Sequence, residues 1–468
     1  MTDPRSEENP SGAAGPARSA GPGGTAGGPS GPGGGGGRRG GSRRAAGPKH
    51  RTDPLGPAGP AAQAQADPRL LVRERGFAGY AGEFRRRMHS GELGPLPVVV
   101  GLVAIWIIFQ SLNDQFLSPQ NLSNLSVDIV ATGLISVGIV FVLLLGEIDL
   151  SAGAVSGACA AVLAVLHVNE GWSAWAAIAA AVAVATALGF VHGLFFARIG
   201  VPSFVVTLAG MLAWTGLQLW VLGPNGTVNL PYEGLVAGLT STYFNQVIAA
   251  YGLAGLAVAG FLAVSLVGNA RRRAAGIPTR TTGDVLLRTA GLAVLAFGAA
   301  YVLNQYKGLP LALLIFLVVV VAADFVQRRT RYGRSVFAVG GNIEAARRAG
   351  INVAMIRISV FMISGAMAAV GGIFAASRIA SASQATGQSN VLMMAIAAAV
   401  IGGTSLFGGR GTAYSALLGM LVIQSISSGM ALEGVSNSIQ FMVTGAVLLA
   451  AVVIDSVSRR SQKAAGRA

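Results

Sequence analysis

Apolar residues run in long blocks through most of the chain, and polar residues gather between the blocks. Twelve runs reach or approach the roughly 20 residues that cross a hydrocarbon layer. They are Leu96–Leu112, Val127–Leu145, Leu150–His167, Ser173–Ala197, Val201–Leu222, Gln246–Val267, Leu287–Leu303, Leu309–Val326, Met355–Ser377, Val391–Phe407, Thr412–Ala431 and Asn437–Ser456. None shows the alternation of a barrel strand, and a helix satisfies its own backbone hydrogen bonds in lipid. The expected fold is therefore all-α: a polytopic integral membrane bundle of about twelve transmembrane helices. Ten spans plus a re-entrant pair is the alternative that keeps the same parity.

Two segments precede the runs. Residues 1–68 are Gly, Pro, Ala and Arg without apolar periodicity, which predicts a disordered tail. Residues 69–94 interleave Leu70, Phe77, Tyr80 and Phe84 with Arg73, Arg75 and Arg85, the pattern of a basic amphipathic helix lying on a membrane face. Residues 95–460 form the expected membrane domain.

Charge sharpens this picture. Only 11% of the 468 residues are charged, against about 25% in soluble proteins, which disfavours a soluble enzyme. The net charge of +15 would suggest nucleic acid in a soluble protein. Here its placement matters more. With the tail in the cytoplasm, the loops that fall inside hold Arg198, Arg271, Arg272, Arg273, Arg280, Arg328, Arg329, Arg331, Arg334, Arg347, Arg348, Arg410, Arg459 and Arg460. The outside loops hold Lys307 and Arg378 and little else. That asymmetry predicts an even number of spans with both termini cytoplasmic, and no nucleic-acid partner. Cys159 is the single cysteine, which excludes a disulfide framework. The four histidines show no metal spacing, so neither a metal nor a catalytic residue is expected. The lysines Lys49, Lys307 and Lys463 stand in no Gly-Lys-Ser/Thr setting, so the chain has no P-loop and no ATP site of that kind.

Three motifs break the apolar pattern. The largest inside loop, 327–354, contains Asn342, Ile343, Glu344, Ala345, Ala346, Arg347, Arg348, Ala349 and Gly350 in succession. Asn342 suits an N-cap, Glu344 the first turn, Arg347 the last turn, and Gly350 the left-handed position after the helix. The Ala345–Ala346 pair is small enough for close packing, so this short helix is a candidate docking element. The second motif runs from Gly146 to Gly153 and holds Glu147, Asp149 and Ser151 between two apolar runs. Carboxylates are costly in lipid, and Asp149 and Ser151 suit the cap of the following helix. The third, Ile401 to Gly411, is too rich in glycine for an unbroken helix. Gly402 and Gly403 predict a break there, with Thr404 and Ser405 satisfying the freed backbone groups. Polar or aromatic residues within spans are candidates for a solute path: Phe204, Thr207, Trp214, Gln218, Ser364, Gln424 and Gln440.

In this order, and with the Val201–Met211 stretch, these motifs resemble the permease subunit of bacterial ABC importers for monosaccharides, in the ribose and xylose branch. The resemblance covers roughly Leu96 to Arg460. A two-span insertion at about 246–303 and Glu147 before Ile148-Asp149-Leu150-Ser151 look most like the xylose type. One departure is the stretch from Asn390 to Met394, which lacks the acid often found before the segment matching Ala395. The resemblance implies two permease copies around one pathway and cytoplasmic ATPase subunits docked on 342–350. It also implies an extracytoplasmic sugar-binding protein, a monosaccharide substrate, and ATP held only by the partner. The competing reading is an ion-coupled secondary transporter, which calls for ionisable residues near the bilayer midplane. Most acids here, including Asp114, Asp128, Asp324 and Glu433, sit near span ends.

Overall fold

The computed structural model describes residues 96–277, 279 and 281–464. The expected tail (1–68) and basic segment (69–94) lie outside the described residues. The chain folds as α1 (Leu96–Leu112), α2 (Pro119–Leu144), α3 (Ala152–Ala164), α4 (Ala174–Leu194), α5 (Ser203–Leu222), β1 (Thr227–Asn229), α6 (Leu235–Ser241) and β2 (Tyr243–Phe244). It continues with α7 (Val247–Ala274), α8 (Thr282–Asn304), β3 (Leu309–Pro310), α9 (Leu311–Arg329), α10 (Arg331–Gly341) and α11 (Ile343–Arg348). The last elements are α12 (Val353–Ile379), β4 (Ser381–Ser383), α13 (Ser389–Ile401), α14 (Tyr414–Leu432) and α15 (Asn437–Ala464). Single π turns, Val165–Asn169 and Phe195–Ile199, extend α3 and α4. Among the described residues, nine helices are long and apolar enough to cross a membrane, and shorter apolar helices span Leu96–Leu112, Asn390–Ile401 and Asn437–Ala450.

α2 is apolar on every side and is buried along most of its length, as a helix at the centre of a bundle must be. It begins at Pro119, well before the apolar run at Val127, because Ser118 caps it and proline occupies the first turn. α12 packs against α2, α3 and α4. Its contact with α4 rests on small residues. The buried positions of α4 are Ala177, Ala181, Ala185, Gly189, His192 and Gly193, one stripe at helical spacing. A Cβ on Gly189 would strike the Phe361 carbonyl, and one on Gly365 the Ala185 carbonyl. Helices in lipid lack a hydrophobic drive to associate, so backbone approach of this kind supplies the packing.

α7 and α8 form a hairpin stapled by Ala250, Ala254, Ala300 and Leu303 and by the stacked rings of Tyr251 and Phe297. This hairpin occupies the residues of the expected insertion, 246–303, and Leu313 and Leu314 of α9 pack against it. Its base is tied down by β2 pairing with β3.

The run Val391–Phe407 is a shorter helix than its apolarity predicts. α13 ends at Ile401, so its 13 residues extend about 20 Å, less than the hydrocarbon thickness. A partly buried loop, 402–413, follows it, with Gly402, Thr404, Ser405, Gly408 and Ala413 buried. The glycines explain this: Gly403, Gly408 and Gly409 all take positive φ, which ends a helix. Ser405 Oγ accepts the Phe407 N–H at 3.2 Å. Thr404 does not serve the backbone: its buried hydroxyl has no hydrogen-bond partner among the described residues.

Contacts divide the loops between two ends. At one end the Gly409 N–H donates to the Leu144 carbonyl (2.9 Å), the Ala413 N–H to Gln327 Oε1 (2.9 Å), and Ser203 Oγ to Glu147 (2.7 Å). At the other end Arg378 pairs with Asp128 (2.9 Å), β1 pairs with β4, and Gln218 donates to the Ser383 carbonyl (2.8 Å). The first end carries Arg198, Arg328, Arg329, Arg331, Arg334, Arg347, Arg348 and Arg410. α7 starts beside β2 at the second end, and its 28 residues, about 42 Å, bring Arg271, Arg272 and Arg273 to the first.

Candidate functional site

The arginine-rich end carries the exposed helix that the sequence singles out. Asn342 caps α11 by accepting the Ala345 N–H at 2.9 Å, and Gly350 follows it with φ of 80°. Arg347 and Glu344 form an exposed ion pair at 2.9 Å. The two alanines separate, because neighbouring helix positions point about 100° apart. Ala345 is exposed, whereas Ala346 is buried in this chain's own core. Ala346 therefore seats the helix, and the free surface is made by Ala345, Glu344, Arg347 and Arg348.

The helix that carries α11 escaped the sequence reading. α10 is capped by Thr330, which accepts the Gly333 N–H at 3.0 Å, and Tyr332 bonds Ser359 on α12 at 2.9 Å. Its apolar positions Tyr332, Val336 and Val339 have helical spacing, which is the signal that marks it. A Cβ on Gly340 would strike the Leu144 carbonyl. Gly408 in turn lies against Gly340 and Gly146. Three glycine segments thus bring the end of α2, the end of α10 and the 402–411 loop into backbone contact directly before Asn342.

Behind this joint lies the acidic motif. Asp149 is 4% exposed and stays inside a hydrogen-bonded chain. Its Oδ1 accepts the Ser151 N–H (2.9 Å) and Ser151 Oγ–H (2.6 Å), and its Oδ2 accepts Ser364 Oγ–H from α12 (2.8 Å). Ser151 Oγ also lies 3.3 Å from His192 Nδ1 on α4, and Trp214 Nε1–H on α5 donates to His192 Nε2 at 2.8 Å. An indole nitrogen can only donate, which assigns the histidine proton to Nδ1, facing Ser151. The expected cap by Ser151 is not made: its hydroxyl turns to Asp149 and makes no cap bond to α3. The carboxylate instead ties the start of α3 to the middle of α12, and through Ser151 and His192 to the end of α4 and the middle of α5. Asp149→Asn should cost about 1–3 kcal/mol, because a neutral amide cannot accept all three bonds and leaves a buried donor unmatched. Denaturant unfolding in detergent measures this; an unchanged midpoint would exclude the anchoring role.

Glu147 occupies the same loop between α2 and α3. Its Oε2 accepts Ser203 Oγ–H at 2.7 Å, and its Oε1 lies 3.6 Å from Arg357 Nη2. The Arg357 guanidinium stands over the Phe196 ring at 4.3 Å, an example of cation–π contact. Burial pushes the Glu147 carboxyl above its ordinary pKa, with the Ser203 bond and Arg357 opposing.

Two of the expected path residues, Trp214 and Ser364, are joined through the Asp149–His192 chain. Thr207 bonds back to the Ser203 carbonyl (3.0 Å), Trp214 is held by His192, and Gln218 serves the Ser383 (2.8 Å) and Thr386 (2.9 Å) carbonyls. Ser364 is bound to Asp149, and Gln440 donates to the Val435 carbonyl at 2.9 Å. Phe204 is exposed and Gln424 half-buried. A recess of about 280 Å³ opens elsewhere, at the second end, where Asp128, Thr240, Arg378, Ser383 and Thr386 are among its lining residues. None of the seven path residues lines it. Among the described residues no group of His, Cys, Asp and Glu could hold a metal ion.

Comparison with known proteins follows the same outline. Residues 121–452 match the family described as branched-chain amino acid transport system / permease component. The chain is 36% identical to the xylose transport system permease protein XylH of Escherichia coli K12, over 78% of this chain and 92% of that one. It is 36% identical to XylH of Haemophilus influenzae, covering 78% and 97% respectively. Identity to the ribose import permease protein RbsC of Bacillus subtilis is 30%, covering 79% and 96%. No solved structure matches the chain.

Proposed function

Since this chain belongs to the ABC-importer permease family of the xylose and ribose permeases, we propose that it forms the membrane pathway for xylose or a closely related monosaccharide. The nine long helices and the three shorter apolar ones together make twelve passes, with the loop 402–413 completing the α13 pass. Both termini and the arginine-rich end face the cytoplasm, in keeping with the bias of Lys and Arg toward inner loops. Two copies enclose the pathway. ATP is bound and hydrolysed by separate cytoplasmic subunits, and a binding protein delivers the sugar to the opposite end, where the 280 Å³ recess opens.

The observation that carries this reading is α11: a capped helix with an exposed charged face, mounted on the arginine-rich end. It abuts the glycine joint and leads through Asn352 into α12, which contacts α2, α3 and α4. Movement of a docked ATPase can therefore reach the bundle through a short, packed path.

Uptake of labelled xylose into vesicles, with the ATPase and binding protein supplied, is the test. Accumulation should require ATP and all three components. Accumulation driven by a proton gradient without the ATPase would overturn the proposal in favour of a secondary transporter.

A further inference from the structure

We propose that Glu147 and Arg357 are positioning residues forming a releasable latch between α5 and α12, which transmits movement of α11 to the inner end of the pathway. The inference rests on the transporter reading and adds residues and a mechanical role to it.

Glu147 is the only residue of its loop that bridges these two helices through separate carboxylate oxygens among the described contacts. One oxygen holds Ser203, the first residue of α5, and the other faces Arg357, in the second turn of α12. Arg357 lies close in sequence to α11. Only Ala349–Asn352 separates the two helices, and Asn352 caps α12 through the Met355 N–H at 3.0 Å. A shift of α11 thus acts on Arg357 within two helical turns. α5 is the responsive element. Its buried residues are Ser203, Thr207, Gly210, Gln218 and Leu222, one narrow face, and Ser203 ties its inner end to Glu147.

The geometry is that of a contact that can change. Charge-assisted N–H···O bonds close at about 2.7–2.9 Å, whereas this pair stands at 3.6 Å. Arg357 keeps a second partner, the Phe196 ring, which retains the guanidinium when the carboxylate moves. Glu147 and Arg357 side chains are each 20% exposed, so the pair is shielded from most water yet not sealed.

Stability points the same way. The carboxyl pKa is raised in the fold, chiefly by burial. For an acid, that sign means that folding favours the protonated form. The contribution of this group to stability therefore falls as pH rises through its raised folded value. The ionised form therefore does not help the fold, and replacement of such a charge by a neutral group can be harmless to stability.

The experiment compares Glu147→Gln and Glu147→Asp with the unmodified chain, reconstituted with its ATPase and binding protein. Sugar moved per ATP hydrolysed is measured in vesicles, and the thermal midpoint in detergent. Glu147→Gln should keep or raise the midpoint and retain the ATPase, while sugar per ATP falls about tenfold, a size typical of coupling free energies. Glu147→Asp, which keeps the charge, should recover part of that ratio. A ratio unchanged in Glu147→Gln overturns the latch. So does a lowered midpoint with transport and hydrolysis lost in equal proportion, which would mark a structural role. If the unmodified chain shows no ATP-driven uptake, the transporter reading itself fails and the latch falls with it.

Discussion

A chain carrying Ala345→Asp and Arg347→Glu should insert and purify normally, lose its ATPase partner, and import sugar at least about tenfold more slowly. Both side chains are exposed on α11, so substitution there is expected to change stability by only about 0.5 kcal/mol. The change in surface is large. The Arg347–Glu344 pair is replaced by carboxylates at 344, 345 and 347, on little more than one turn. Like charges against a partner's face cost several kcal/mol when the partner was matched to the opposite sign. Co-purification of the ATPase and vesicle uptake read the two effects. Retention of the ATPase together with normal uptake would remove α11 from the interface. Ala346→Asp is the contrasting variant. That position is 3% exposed within the chain's own core, so a carboxylate there is expected to unseat the helix and lower the thermal midpoint.

Gly365→Val should leave the chain in the membrane but disrupt its bundle. The added Cβ would meet the Ala185 carbonyl on α4, and a helix backbone cannot rotate aside as a side chain can. Overpacking a well-packed site costs about 1–3 kcal/mol, and rigid backbone neighbours place this site toward the upper end. α12 and α4 would then separate, exposing the Asp149–His192 chain that runs between them. Limited proteolysis and size-exclusion profiles in detergent report that loss. Gly291→Val on α8 is the matched control, since nothing lies within 4 Å of a Cβ there. Equal behaviour of the two variants would show that backbone approach does not hold α12 to α4.

Much of the architecture is legible without coordinates, because lipid allows few solutions. A long apolar run must be a helix, and the arginines must collect where positive charge is retained. The α11 helix was legible for a different reason. Its cap, first-turn acid, last-turn arginines and terminal glycine all act on neighbours within a few residues. α13 shows the limit of such reading. Apolar composition extended it to Phe407, but the positive-φ glycines after Ile401 stop the helix.

The acidic motif divides along the same line. That Glu147 and Asp149 need partners follows from the cost of a buried carboxylate. Which partners they find does not follow, since Ser203 lies 56 residues from Glu147 and Ser364 lies 215 from Asp149. His192 had no recognisable spacing to any polar neighbour, yet Trp214 of α5 and Ser151, just before α3, meet it. The polar residues of the candidate path show the reciprocal point. A polar side chain in a span reveals a requirement for hydrogen bonds, and most of those residues satisfy it within the bundle.

Local composition and periodicity thus determine the membrane class, most of the long helices, the charged end and the exposed helix on it, because each depends on solvent or on contacts a turn away. The joint at Gly146, Gly340 and Gly408, the burial of Ala346, and the pairing of Glu147 with Arg357 depend on which helices become neighbours. That choice is made by backbone shape and small-residue complementarity across long separations, and it exists only once the bundle has packed.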